Sequence, residues 1–350
     1  MKTVHVNASK EYDVLIGSGI LDTLGQKVSA LGKVRKVCVV SETNVYPLYG
    51  NAVLNSLQQE GLEVHSFVFP AGEASKNGAT YLQLLSFLAA HQITRSDLIV
   101  ALGGGVVGDL AGFAAATYLR GLRFVQVPTT LLAAVDSSVG GKTAIDLPEG
   151  KNLAGAFCQP SLVLCDIDCL NTLPEDIFRD GCAEVIKYGI LYDEDFFNYL
   201  MDQGINFDRE AVIARCVELK RDVVAVDEFD TGARMLLNLG HTIGHGVERQ
   251  SNFEISHGKA VAIGMAIVSR AGASLGMTEM NSANRVISIL KKFELPICCD
   301  YPPEDLAEAA FSDKKRSGNS VHLIIPKAIG QCDVVPTPIN SITDFIKAGL

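Results

Sequence analysis

Three of the seven histidines fall close together in the second half of the chain. His241 and His245 are four residues apart, so in a helix they would share one face, and His257 follows soon after. Two imidazoles with a carboxylate such as Glu184 form a metal-ligand set that leaves coordination positions open for a substrate. Surface or helix-cap histidines are the commoner explanation of an isolated H-x-x-x-H pair. The added histidine and acid favour a catalytic divalent metal.

A second pattern with chemical potential is the glycine-rich run Gly103 to Asp109, between a strand-like and a helix-like segment. It matches G-x-G-x-x-G, in which glycines let the backbone approach a pyrophosphate and the helix amino end supplies N–H donors. A tight turn without a ligand is the alternative, since no acid stands about twenty residues further on to hold a ribose. The run Ser138 to Thr143 ends like a P-loop, but Asp136 occupies the position of its first glycine. Nucleoside triphosphate hydrolysis is therefore excluded.

Basic residues gather beside both motifs, although the chain carries a net charge of −10. Lys187 follows Glu184 by three residues, so both could face one side of a helix. Taken singly, each cation would be a solvated surface charge; taken jointly, they could bind phosphate and carboxylate groups. The set comprises Arg120, Lys142, Lys151, Lys187, Lys220 and Arg234, with Asp136 and Asn152 as polar neighbours.

Composition limits the class of protein that could hold these motifs. The 350 residues suggest two domains or one large domain, and 48% apolar residues exclude general disorder. The acidic balance disfavours nucleic-acid binding. Nine cysteines without a C-x-x-C pair indicate reduced thiols. No signal peptide is evident, and Asp109 interrupts the most membrane-like stretch, Leu98 to Leu119. We therefore expect a cytoplasmic protein with neither a membrane nor a nucleic-acid partner.

The elements that must position these residues change in character along the chain. In the first part, strand-like and helix-like segments alternate, which is typical of a mostly parallel sheet with helices on both faces. The predicted strands are Lys36–Ser41, Val64–Phe69, Asp97–Leu102, Phe124–Val127 and Leu162–Leu164, and the predicted helices are Asn44–Glu60 and Tyr81–Ala90. Residues 1–172 are thus predicted to form a Rossmann-like α/β domain.

Helical periodicity dominates after Thr172. Predicted helices cover Asp176–Leu191, Arg209–Val226, Gly240–Gln250, Lys259–Ala273 and Pro302–Ala310, whereas only Val321–Ile325 and Cys332–Val335 look like strands. Residues 173–350 are therefore predicted to form a mainly α-helical domain, and the histidine motif places the expected metal site in it.

Taken in order, these and further motifs resemble the 3-dehydroquinate synthases, a family of sugar phosphate cyclases. The resemblance runs from about Pro70 to Gly330. Its motifs are Pro70-Ala71-Gly72-Glu73 with Lys76, Gly103 to Asp109, Tyr118-Leu119-Arg120-Gly121, Pro128-Thr129-Thr130-Leu131-Leu132, Val135 to Thr143, Gly150-Lys151-Asn152-Leu153, Ala183 to Gly189, Asn238 to His245, and Asp313-Lys314-Lys315. Lys259 and Leu239 stand where many relatives carry Glu and Phe, but neither change removes an expected ligand.

The resemblance implies an enzyme of the shikimate pathway, which leads to chorismate and the aromatic amino acids. Such an enzyme converts 3-deoxy-D-arabino-heptulosonate 7-phosphate to 3-dehydroquinate and phosphate, and is a carbon–oxygen lyase acting on phosphates. The implied cofactors are NAD and one divalent metal ion, zinc or cobalt. The implied course is transient oxidation by bound NAD, β-elimination of phosphate, re-reduction and intramolecular aldol closure. A homodimer is the implied assembly.

The resemblance also assigns roles to residues. The implied metal ligands are Glu184, His241 and His257, so that His245 faces the substrate instead of the metal. The implied NAD contacts are Gly72, Glu73, Ala74, Ser75, Lys76, Gly105, Val106, Val107, Gly108, Asp109, Thr129, Thr130, Lys142, Lys151, Cys169, Leu170, Asn171 and Thr172. The implied catalytic and substrate-binding residues are Arg120, Asp136, Lys142, Asn152, Lys187, Lys220, Arg234, Asn238 and His245, with Arg120 reaching in from a partner subunit.

Three other functions stay open at this point. Another sugar phosphate cyclase, such as 2-deoxy-scyllo-inosose synthase, would share the fold and cofactors, although Lys220, Arg234, Asn238 and His245 follow the dehydroquinate synthase pattern. A metal-dependent, NAD-linked polyol dehydrogenase would not need the phosphate-binding lysines. A non-catalytic binding protein would not need open metal coordination beside a dinucleotide loop.

Overall fold

The computed structural model describes residues 1–308 and 320–350, and the chain divides into two compact units. The first unit comprises Met1–Pro174 together with Arg209–Phe229. The second comprises Glu175–Asp208 and Asp230–Leu350. Each unit therefore contains two separate stretches of the chain.

The first unit is built on a seven-stranded sheet. Its strands are β1 (Lys2–Val6), β2 (Tyr12–Gly17), β3 (Lys36–Glu42), β4 (Glu63–Phe69), β5 (Leu98–Gly103), β6 (Arg123–Pro128) and β9 (Leu162–Asp166). They lie side by side in the order β1-β2-β9-β6-β5-β3-β4. Only the edge pair β1 and β2 is antiparallel, and the remaining pairs are parallel. The sheet is therefore mostly parallel, as the alternation of elements predicts.

Unbroken apolar runs form the central strands because both faces of the sheet are covered. Successive residues of β3 enter different cores: Val37 and Val39 join one cluster, and Cys38 and Val40 join the other. Helices α1 (Leu24–Ala30) and α2 (Tyr46–Gln59) contribute to the first cluster, and α3 (Gly78–Ala90) and α4 (Gly105–Thr117) to the second. This alternation fixes the register of the strands and so the positions of the turns that follow them.

Two further elements complete the first unit. The antiparallel hairpin of β7 (Lys142–Leu147) and β8 (Gly150–Phe157) lies against α4 and turns at Pro148 and Glu149. Helix α7 (Arg209–Val226) packs on β1, β2 and the turn of π-helix Ala133–Ser137. Helix α7 thus belongs to the unit that contains the sheet, although it comes after the first helices of the second unit in the sequence.

The second unit is mainly helical. It contains α5 (Glu175–Tyr192), α6 (Glu194–Gln203), α8 (His241–Gln250), α9 (His257–Ser274), α10 (Met280–Lys292), the hairpin β10 (Ser320–Ala328) and β11 (Gln331–Pro338), and a terminal helix Ile342–Gly349. Helix α9 is central and packs against α5, α8, α10 and the terminal helix. No helix in the described part of the chain has both the length and the apolarity that a membrane crossing needs.

The predicted fold class, a mostly parallel sheet domain followed by a mainly helical domain, is confirmed. All the strands predicted for the first part are present, with ends shifted by one or two residues. Several elements that are short or amphipathic in pattern were not predicted, namely β1, β2, β7, β8, α1, α6, α10 and the terminal helix. Within residues 1–308 and 320–350 no disulfide joins the nine cysteines.

Candidate active site

Three helices of the second unit bring a carboxylate and two imidazoles together. Glu184 comes from the middle of α5, and His241 and His257 are the first residues of α8 and α9. Glu184 Oε1 lies 3.5 Å from His241 Nε2 and 3.6 Å from His257 Nε2. One donor atom from each of the three side chains lies within 4.8 Å of the others. The group therefore converges on one point.

This group fits a small divalent metal ion. Donors bound at about 2.0–2.2 Å around a tetrahedral zinc ion stand roughly 3.4 Å apart, close to the separations found here. Two imidazole nitrogens and a carboxylate oxygen are ligands that zinc and cobalt accept, and three protein ligands leave room for a substrate oxygen.

Close packing of glycines positions the histidine that begins α8. Gly240 adopts φ 78°, a left-handed conformation that favours glycine, and ends the preceding turn. Helix α9 approaches so tightly that a Cβ on Gly264 would lie 1.9 Å from Gly240 O. Any larger residue at either position would push α8 away from α9, and His241 with it.

The start of α9 is held by helix α5. The Asp180 carboxylate accepts a hydrogen bond from the Lys259 N–H at 2.9 Å and another from the Ser256 hydroxyl. Asp180 lies one turn before Glu184 on the same helix, so α5 both supplies a carboxylate to the group and caps the helix that carries His257.

Burial and neighbouring charges shift the pKa values of His241 and His257 in opposite directions. Burial, assisted by the Lys187 ammonium, lowers the pKa of His241 to about 3. Burial alone would lower the pKa of His257, but the carboxylates of Glu184 and Glu248 outweigh it and raise that pKa to about 10. Lys187 and Glu184 form an ion pair within α5, and both side chains are almost fully buried. In the metal-free protein, burial therefore favours the neutral imidazole at His241, whereas the two carboxylates favour the protonated form of His257, whose Nε2 proton a bound metal would replace.

The remaining predicted residues of this unit lie around the same helices. His245 is exposed, and its ring centre lies 5.8 Å from that of His241 and 6.4 Å from that of His257. Arg234 is buried and Asn238 exposed on the short helix Ala233–Asn238 that precedes α8. Asp313, Lys314 and Lys315 lie outside the described residues.

In the first unit, the glycine-rich run joins β5 to α4. Strand order reverses between β3 and β5, and in open α/β sheets ligands bind at the carboxyl ends of strands at such a switch. Gly104 precedes the helix, and the first intrahelical bond runs from the Gly108 N–H to Gly104 O at 3.1 Å. The amides of residues 105–107 therefore point out of the helix end, where a phosphate would be favoured.

Neighbouring side chains leave no room for a Cβ at two glycines of this turn. A Cβ on Gly104 would lie 3.0 Å from Thr130 Cγ2, and one on Gly108 would lie 2.5 Å from Gln126 Oε1. The glycines thus let β6 and its following residues Thr129 and Thr130 approach the loop. This bare backbone cradle is compatible with the pyrophosphate of a dinucleotide.

A charged cluster beside the glycine-rich turn centres on Lys76. Its ammonium lies 2.8 Å from Glu73 Oε1, 3.2 Å from Asp109 Oδ2 and 2.8 Å from Asn152 Oδ1. Burial raises the pKa of Asp109 to about 6, although Lys76 opposes that shift. Burial alone would lower the pKa of Lys76, but Asp109 and Glu73 outweigh it and hold that pKa above its usual value. Such carboxylate and ammonium groups suit ribose hydroxyls.

A second pair in the first unit joins Lys220 of α7 to Asp136. The Lys220 ammonium donates to Asp136 Oδ1 at 2.6 Å and to Asp136 O at 2.7 Å. Asp136 lies in the π-helical turn Ala133–Ser137, a wide turn that is frequent at functional sites. Helix α7 was predicted to belong to the second domain, but it lies in the first unit, where its Lys220 contacts Asp136.

The other predicted residues of the first unit are spread over its turns. Lys142 is exposed at the start of β7, and Lys151 and Asn152 lie at the start of β8, where Asn152 has φ 58°. Thr129 and Cys169 are buried, whereas Asn171 and Thr172 are exposed. Arg120 is exposed in a turn at φ 66°. The predicted NAD contacts Gly72, Ala74 and Ser75 lie next to Glu73 in the turn before α3.

Sequence reasoning missed two acids. Asp146 accepts a hydrogen bond from the Asn152 N–H at 2.8 Å and lies 3.7 Å from the Lys76 ammonium. Glu248 is buried near His257. Glu248 could have been predicted, because it follows His241 by seven residues and so shares its helix face. Asp146 could not, because the hairpin that places it was not recognised.

The comparisons with solved structures define the class of protein. The chain matches 2-epi-5-epi-valiolone synthase from Streptomyces hygroscopicus, solved with NAD+ and Zn2+ bound, with a TM-score of 0.89 and 27% identity over 98% of both chains. It matches the fold of 2-deoxy-scyllo-inosose synthase complexed with carbaglucose-6-phosphate, NAD+ and Co2+ with a TM-score of 0.90 and 24% identity over 100% of both chains. The fold is that of the sugar phosphate cyclases.

Sequence comparisons identify the family. Models of the 3-dehydroquinate synthase N-terminal and C-terminal regions match residues 66–180 and 181–316. The 3-dehydroquinate synthase of Enterococcus faecalis is 41% identical over 99% of both chains, and that of Pelobacter propionicus is 46% identical over 96% of both. The chain belongs to the 3-dehydroquinate synthase family.

Proposed function

We propose that the protein converts 3-deoxy-D-arabino-heptulosonate 7-phosphate to 3-dehydroquinate and phosphate, with NAD and one divalent metal ion, zinc or cobalt. The observation that carries the proposal is the converging group of Glu184, His241 and His257, in a chain whose relatives at 41–46% identity are 3-dehydroquinate synthases over nearly their full length. The net reaction is that of a carbon–oxygen lyase acting on a phosphate.

The proposed cofactor sites follow from the two clusters. Glu184, His241 and His257 would hold the metal, and the turn residues 72–76, the glycine-rich run 105–109, Thr129, Thr130, Lys142, Lys151 and residues 169–172 would hold NAD. When bound, NAD supplies a reversible hydride acceptor and the metal supplies a Lewis acid for the hydroxyls of the substrate. The residues 1–172 and 173–350 are proposed as the NAD-binding and the metal- and substrate-binding parts of the chain.

The chain's own residues would stabilise the charges of the reaction. Loss of phosphate by β-elimination develops a dianion, and Lys142, Lys187 and His245 are the cationic groups proposed to stabilise it. Arg120 is proposed to join them from a second subunit of a homodimer. The phosphate oxygen itself is the proposed base that removes the C6 proton of the substrate as the phosphate leaves.

The substrate carboxylate needs different groups. Arg234 offers a planar fork that matches a carboxylate, and its burial strengthens such a contact. Lys220 is already held at Asp136, so this pair presents an ammonium and a carboxylate in fixed positions. Asp136, Asn152 and Asn238 are proposed to position the hydroxyls of the ring. A sugar phosphate is the proposed partner, and the cytoplasm the proposed location.

The test compares substrates on the full-length protein. Chelator-treated protein is supplied with NAD and Zn2+ or Co2+, and phosphate release is measured with 3-deoxy-D-arabino-heptulosonate 7-phosphate, glucose 6-phosphate and sedoheptulose 7-phosphate. The proposal expects metal-dependent release from the first alone, with 3-dehydroquinate as the product. Release from either of the other sugar phosphates instead would assign the protein to another cyclase activity.

A further inference from the structure

His257 presents its two ring nitrogens to two different carboxylates. Nε2 lies 3.6 Å from Glu184 Oε1, on the side of the proposed metal, and Nδ1 lies 3.5 Å from Glu248 Oε2. The imidazole is thus held from both sides. Glu248 is itself buried, with 3% of its surface exposed.

The geometry of α8 explains why Glu248 is available there. His241 begins the helix, and Glu248 follows seven residues later, so both lie on nearly the same face two turns apart. His257, at the start of α9, meets this face at both points: its ring packs 5.2 Å from the His241 ring, and its far nitrogen faces Glu248. One helix therefore supplies a ligand to the group and a support to a second ligand.

The two histidines are supported by groups of different charge. His241 Nδ1 lies 3.0 Å from the backbone carbonyl of Leu239, whereas His257 Nδ1 faces a carboxylate. A histidine that donates its second N–H to an acceptor has its tautomer and ring orientation fixed, and an anionic acceptor makes the other nitrogen a stronger donor. A neutral carbonyl does this less than a carboxylate.

We propose that Glu248 is a positioning residue that holds the Nδ1 proton of His257, aims its Nε2 lone pair at the metal and thereby sets the affinity of the site for the divalent ion. The inference rests on the metal site of the proposed function. Glu248 is not one of the three side chains whose donor atoms converge, so we expect its effect on the metal to pass through His257.

The test measures metal affinity on the metal-free, full-length protein by competition with a chromophoric chelator for Zn2+. Glu248→Gln keeps the size of the side chain and removes its charge, and we expect about 10- to 100-fold weaker binding. Glu254→Gln removes a charge from the exposed segment between α8 and α9 and serves as the matched control, with unchanged affinity. Glu248→Asp keeps the charge but shortens the side chain by one methylene, so its carboxylate lies further from His257, and we expect an intermediate affinity.

Two more readouts separate positioning from a loss of folding. Thermal unfolding of the metal-free proteins shows whether Glu248→Gln is folded, and the visible absorption of the Co2+ forms reports the geometry of the ligands. A changed Co2+ spectrum with weaker binding in a folded variant supports the proposal. Equal affinity and an equal spectrum in Glu248→Gln and the wild type would overturn the inference alone. A wild-type protein that binds no metal would overturn both the inference and the metal of the proposed function.

Discussion

At the scale of single residues, the exposed lysine that opens β7 gives the clearest test of the proposed phosphate-binding charges. We expect Lys142→Ala to lower kcat/KM by about 100-fold or more, because removing a group that stabilises a developing anion costs that much in other enzymes. The melting temperature should change by less than about 2 °C, as for other surface substitutions. Steady-state kinetics and thermal unfolding check both, with the exposed Lys33→Ala as the matched control. Near wild-type turnover would refute the assigned role of Lys142.

The two histidines of α8 should respond differently to the same substitution. We expect His241→Ala to lose bound metal, because its Nε2 faces Glu184 at 3.5 Å. His245→Ala should retain the metal and lose rate, because its side chain is outside the converging group of donors. Elemental analysis after dialysis measures the metal in each variant. Full metal content in His241→Ala, or loss of metal from His245→Ala, would contradict these assignments.

The residue types and their spacing allowed prediction of the metal group, because Glu184, His241 and His257 are chemically distinctive and were matched to a family motif. Spacing alone favoured the pair His241 and His245, since two histidines one helical turn apart share a face. Spacing could not indicate that His257, at the start of another helix, would join Glu184 and His241 instead. That depends on how α8 and α9 pack, which short-range periodicity does not encode.

At the scale of elements, the carboxylate of Asp180 that caps α9 links stability to the metal group. We expect Asp180→Ala to lower the free energy of unfolding by about 1 kcal/mol, because the Lys259 N–H and the Ser256 hydroxyl lose their acceptor. Metal affinity should fall as well, since His257 is the first residue of that helix. Urea denaturation of the metal-free protein and a zinc titration measure the two effects.

Asp176→Ala supplies the control for Asp180→Ala, because Asp176 is an exposed acid one turn earlier on the same helix. It should leave metal affinity unchanged. If Asp180→Ala were as stable and bound zinc as tightly as this control, the cap would have no part in placing His257.

The sequence predicted those elements whose patterns are strong. Central strands such as β3 and β5 are buried on both faces and appear as unbroken apolar runs, so they were recognised. The hairpin β7–β8 was missed because β8 is largely exposed and glycine-containing, so it lacks an apolar alternation. Helix α7 was predicted with the observed bounds, but its place in the first unit follows from contacts with β1 and β2, two strands that were not predicted.

At the scale of the whole molecule, each compact unit carries its own proposed cofactor site, so ligands should stabilise the chain independently. We expect NAD and Zn2+ each to raise the melting temperature of the wild type, because a ligand at a hundredfold excess over its Kd stabilises the folded state by about 2.7 kcal/mol. His241→Ala should keep the response to NAD and lose the response to Zn2+. Differential scanning calorimetry measures these shifts, and an unaltered zinc response in the variant would contradict the assignment of the two sites.

The proposed reaction oxidises its substrate and then reduces it again, so the decisive measurement follows phosphate and NADH in one cuvette. Chelator-treated protein receives NAD, Zn2+ or Co2+, and 3-deoxy-D-arabino-heptulosonate 7-phosphate, while phosphate release and absorbance at the NADH band are recorded together. We predict many turnovers of metal-dependent phosphate release with no accumulating NADH. Stoichiometric NADH production, or no phosphate release with either metal, would contradict the account.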